Sequence, residues 1–78
     1  MKLNKRFLFQ GLVQHVHFRM SVIEYATKHH CEAIATNQDN GAVYVNISGE
    51  FHNIEATIHS IIGSFKRSNA SVVVVREL

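Results

Sequence analysis

Hydrophobic and polar positions alternate through residues 5–14: Phe7, Phe9 and Val13 fall on one side, and Arg6, Leu8, Gln10 and Leu12 on the other. That period of two predicts a strand, with Gly11 inside it. Val22, Ile23 and Ala26 make a short apolar stripe that predicts a helix over residues 20–30, capped by Ser21 or by the residues just before it. Residues 32–36, EAIAT, read as a short strand, and NQDNG at 37–41 reads as a turn, because Asn, Asp and Gly tolerate positive φ and bond to nearby backbone. Residues 42–48, AVYVNIS, alternate again, with Val43, Val45 and Ile47 pointing inward. Ile54, Ile58, Ile61, Ile62 and Phe65 recur at steps of three and four, which predicts a second helix, with Gly63 lowering its propensity near the end. The β-branched run SVVVV at 71–75 predicts a last strand.

The order βαββαβ is that of two βαβ-like halves joined by a hairpin. It predicts an α+β, ferredoxin-like split βαβ fold: a four-stranded antiparallel sheet with two helices on one face. The chain has 78 residues, 46% of them hydrophobic, which suits one domain over 1–78 and argues against disorder. About a dozen large apolar side chains, each worth roughly 1.5–3 kcal/mol when buried, can hold such a domain together. No internal repeat or low-complexity segment interrupts it. This architecture serves many functions, so function has to come from particular residues.

Charge narrows the partners little. A net charge of +2, with its Lys and Arg scattered, gives no nucleic-acid footprint. A reading as an RNA-binding sheet would rest on Tyr44, outward on the third strand, without the basic–Gly–Phe run that such sheets carry. One cysteine, Cys31, excludes an internal disulfide and paired-thiolate zinc motifs, and reads as a partly buried structural thiol. The basic-then-apolar start is broken by Gln10 and has no small-residue cleavage site, and no stretch is long enough to span a membrane. A soluble cytoplasmic protein is expected. His15 and His17, two apart, would share one side of a strand but have no third ligand nearby in sequence; His52 and His59 are expected on the solvent side of the second helix, and His29 and His30 at the end of the first. No metal site is expected.

Two stretches carry candidate chemistry. GLVQHVHFR at 11–19 links the first strand to the first helix and ends in arginine. Unpaired N–H groups at a helix start attract anions, and a guanidinium offers two parallel bonds to phosphate. The stretch lacks the Gly-Lys-Ser/Thr ending of a P-loop, and by its residues alone it is either a phosphate cradle or an ordinary connection. TNQDNGAVYVNISG at 36–49 reads by itself as a hairpin with an asparagine at its start.

Together the two stretches resemble the acylphosphatase family. Gly11, Val13, Gln14, Val16, Phe18 and Arg19 match its first signature at the right spacing; Asn37, Gly41, Val43 and Gly49 match its second. Ala26 falls where members usually carry alanine in the first helix. The resemblance implies hydrolysis of an acyl phosphate to a carboxylate and inorganic phosphate, with no metal and no cofactor. It implies that Gln14, His15, Val16, His17, Phe18 and Arg19 bind the phosphate, and that Arg19 and Asn37 are catalytic, Asn37 by orienting the attacking water. The implied partner is a small acyl phosphate or inorganic phosphate, with no nucleic acid and no membrane, acting on a monomer.

The sequence departs from the family pattern at several points. His15 stands for a loop glycine; Ala33, Ile34, Ala35 and Thr36 replace a glycine–aromatic–valine–basic run; and KRSNASV lacks the usual proline. The alternative expectation is therefore an acylphosphatase-like module that binds an anion or a partner with weakened or lost turnover.

Overall fold

The computed structural model describes residues 2–10, 16–67 and 75–78, with backbone alone at 16, 17, 65–67 and 75. Among the described residues, four strands and two helices occur in the order β1 (Lys2–Phe9), α1 (Val16–Lys28), β2 (Glu32–Asn37), β3 (Val43–Glu50), α2 (Phe51–Arg67) and β4 (Val75–Glu77). The sheet order is β2-β3-β1-β4, and every neighbouring pair is antiparallel. This is the expected ferredoxin-like α+β fold.

β1 starts at Lys2, earlier than its apolar alternation predicts, and ends at Phe9. Lys2, Asn4 and Arg6 are exposed on the face without helices, where polar side chains are tolerated, and the strand is held by its pairing to β3 from Lys2↔Glu50 to Phe9↔Val43. The predicted continuation through Gly11, Leu12 and Val13 lies outside the described residues, as do Ser71 to Val74 of the last strand; β4 begins at Val75. β3 keeps the predicted inward set Val43, Val45 and Ile47, all fully buried, and runs on through Gly49 to Glu50.

α1 starts at Val16 rather than at residue 20. The alternation in HVHFR imitates a strand, whereas the helix is fixed by Phe18, Val22 and Ala26, four apart and buried. Ile23 is off that line and 47% exposed, and Ser21 lies inside the helix rather than at its cap. α1 ends at Lys28, before the predicted His30. The amide of His30 donates to Thr27 O and that of Cys31 to Ala26 O (3.1 and 2.7 Å), while His30 takes φ 60. This is a Schellman stop with histidine at the left-handed position and Cys31 buried against the core just beyond. His29 Nε2 lies 3.0 Å from Ser60 Oγ, joining the end of α1 to α2.

α2 buries Ile54, Ile58 and Ile61 as its spacing predicts, with Ile62 partly buried and the Phe65 side chain outside the described ones. Thr57, also buried on this helix, donates its hydroxyl to Asn53 O at 2.8 Å, which satisfies it locally. His52 and His59 are exposed, as expected. The core lies between these helices and the sheet, centred on Phe7, Phe9, Val43, Val45 and Ile47. Neither helix is long and apolar enough to cross a membrane.

Candidate functional site

The site is built at one end of the sheet. β1 and β2 both run antiparallel to β3, so they run in the same direction and end at the same edge. Asn37, the last residue of β2, pairs with Val43, and Val43 pairs with Phe9, the last residue of β1. Asn37 therefore lies two strands from the end of β1, about 10 Å across the ladder. Directly paired residues share a face, and Val43 and Phe9 are both buried under the helices. Asn37 thus points to the helix side and is exposed at the corner of the sheet.

The start of α1 is brought to the same corner by an aromatic pair. The rings of Phe18 and Phe9 lie 5.4 Å apart, tilted by 58°. Phe18 is 2% exposed, so the first turn of the helix is pinned over the end of β1. Arg19 comes directly after Phe18 and lies inside that first turn, not in a connection before the helix as the sequence suggests. The turn contains no acidic residue. A helix start of this kind, with the positive end of the helix dipole, favours an anion. Arg19 is half-buried, and its Nε is fully buried with no hydrogen-bond partner among the described residues. A buried donor left unpaired costs about 1–3 kcal/mol, so this guanidinium fits a bound acceptor better than solvent alone.

Of the other residues expected to hold phosphate, Gln14 and His15 lie outside the described residues. Val16 and His17 open α1, but their side chains lie outside the described ones. Arg19, Phe18 and Asn37 are thus the predicted site residues that the structure brings to one corner.

Beyond Asn37 the chain turns tightly. The Gln38 amide donates to Ala42 O (2.8 Å) and the Gly41 amide to Gln38 O (3.2 Å), with Gly41 at φ 90. The Ala42 amide donates to Asn40 Oδ1 at 3.0 Å. Asn40 was legible in sequence only as turn chemistry, since the residue types in NQDNG leave open which side chain bonds the backbone.

The remaining candidate chemistry lies elsewhere. Tyr44 is half-buried on the open face of the sheet, with the Arg6 guanidinium 5.1 Å above its ring. Cys31 is buried and faces Gly49, far along the sheet from Asn37. Among the described residues no three His, Cys, Asp or Glu side chains gather as metal ligands.

A family model described as Acylphosphatase matches residues 5–78. The fold is similar to that of acylphosphatase from Bacillus subtilis, with a TM-score of 0.73 and 23% identity over 100% of this chain and 86% of that one. It is also similar to full-length HypF in its phosphate- and nucleotide-bound form, with a TM-score of 0.66 and 28% identity over 100% of this chain and 11% of that chain. This chain therefore spans only a small part of the length of HypF. No curated protein matches it.

Proposed function

The chain belongs to the acylphosphatase family, and from that premise we propose that it hydrolyses acyl phosphates to a carboxylate and inorganic phosphate. Family membership supports phosphate hydrolysis as the general activity. The finer reading is carried by one observation: Arg19, in the first turn of α1, and Asn37, at the end of β2, lie at the same corner on the same side of the sheet.

In this reading Arg19 and the backbone N–H groups of residues 14–19 hold the phosphoryl oxygens. Asn37 holds the attacking water through its side-chain amide. The carboxylate is a good leaving group, so no strong general acid is required. Catalysis is then mostly positioning and charge stabilisation, which needs neither metal nor cofactor. The charge-assisted bonds of Arg19 contribute about 1.5–3 kcal/mol each to holding the phosphate.

The second reading is a binding module of the same fold without turnover. It is favoured by His15 in place of the family's loop glycine and by Thr36 where the family has a basic residue. Hydrolysis of benzoyl phosphate at neutral pH, with a chelator and no added metal, separates the two. The expected result is turnover that Arg19→Ala and Asn37→Ala each lower about 100-fold or more. Turnover that survives Arg19→Ala sinks the proposed mechanism. Phosphate binding without any turnover establishes the module instead.

A further inference from the structure

We propose that Asn40 is a positioning residue for the reaction: its side chain sets the hairpin that aims Asn37, and so it acts on turnover rather than on phosphate binding. This rests on the reading of Asn37 as the residue that holds the attacking water.

Asn37 closes a strand at the edge of the sheet, and among the described residues only β3 pairs with it. The turn at residues 38–42 therefore matters more to its position than a turn after a central strand would. The Gln38 carbonyl is engaged by the Gly41 amide, and the Ala42 amide is engaged by Asn40 Oδ1. Asn40 thus bonds the backbone two residues on, an Asx-type contact that shapes a turn from within. Ala42 immediately precedes Val43, the ladder partner of Asn37. The carboxamide of Asn40 is in this way one bond and one residue removed from the pair that holds Asn37. Ala42 is also 2% exposed, so its backbone is packed rather than free to readjust.

Phosphate binding is assigned to different residues, the chain before α1 and the start of α1 itself, and that start is pinned by Phe18 on Phe9. Loosening the hairpin leaves that anchor intact. The two functions therefore separate in kinetics. Asn40→Ala is expected to lower kcat about tenfold, because displacements of an ångström or less at a reacting group are enough for such a loss. Competitive inhibition by inorganic phosphate should stay within about twofold, since the neutral Asn40 carboxamide bonds the Ala42 amide and its removal takes away no charge that holds the anion.

Asn40→Asp keeps an oxygen acceptor for the Ala42 amide but adds a carboxylate next to Asp39. It should restore kcat to within about twofold while raising KM, because like charges near a phosphoryl group repel it. The assay is steady-state hydrolysis of benzoyl phosphate by the full chain and both variants, with phosphate as inhibitor. Unchanged kcat in Asn40→Ala, weaker phosphate inhibition equal to the loss of kcat, or an Asn40→Asp variant as slow as Asn40→Ala overturns the proposal while an active parent leaves the acylphosphatase reading standing. A parent chain with no turnover removes both.

Discussion

Gly49 is the last glycine of the second family signature, and the structure gives it a reason to be glycine that has nothing to do with the site. A Cβ added there would lie 2.8 Å from Cys31 Sγ, with Cys31 Cβ and Cα at 3.5 and 3.6 Å. The sulfur contact is well inside the usual 3.5–4.0 Å spacing of packed atoms. The thiol has little room to retreat. Cys31 is 7% exposed, its amide is tied to Ala26 O at 2.7 Å, and Sγ donates to His29 O at 3.6 Å. Gly49→Ala should therefore cost about 1–3 kcal/mol, the usual penalty of overpacking a closed core. If Cys31 is first changed to Ala, the sulfur is gone and the nearest remaining atom is the Cβ at 3.5 Å, an ordinary contact. In that background Gly49→Ala should be close to neutral, or slightly stabilising because alanine restricts the unfolded chain. Urea unfolding of the parent, the two single variants and the double variant measures the coupling. With an m-value near 1 kcal/mol/M, the single Gly49→Ala change shifts the midpoint by about 1 M or more. Equal losses in both backgrounds would refute the steric explanation.

Two further outcomes are expected at particular histidines. His30 is exposed and holds φ 60 at the stop of α1, so His30→Gly relieves left-handed strain while losing no packing; the net gain of about 0.5–1 kcal/mol should raise Tm by about 2–8 °C in a thermal melt. At the family's loop-glycine position, His15→Gly should raise kcat/KM for benzoyl phosphate, and an unchanged or lower value would show that histidine serves there as well as glycine does.

The parts of this fold that bury one whole face were written plainly in the sequence. β3 alternates without exception from Val43 to Ile47, and α2 repeats isoleucine every three or four residues; both were expected and both form. The residues of β1 before Lys5 were not visible, because Lys2 and Asn4 occupy the uncovered face and carry no apolar signal. The start of α1 was hidden for the opposite reason: Val16 and Phe18 alternate with His15, His17 and Arg19 as a strand would, and only packing of Phe18 on Phe9 shows the helical line. That misplacement moved Arg19 from a connection into a helical turn without changing its candidate role. Asn37 was legible through the family signature. The Asn40 contact and the Cys31–Gly49 contact depend on backbone geometry and on residues far apart in sequence, which spacing along the chain does not encode.

The central claim is that water held at Asn37 attacks the phosphorus of an acyl phosphate held at Arg19. Hydrolysis of benzoyl phosphate in heavy-oxygen water, with mass spectrometry of both products, tests it most directly. Attack at phosphorus puts the label in inorganic phosphate and leaves benzoate unlabelled. Label in benzoate, or no turnover above the uncatalysed rate, would contradict the account.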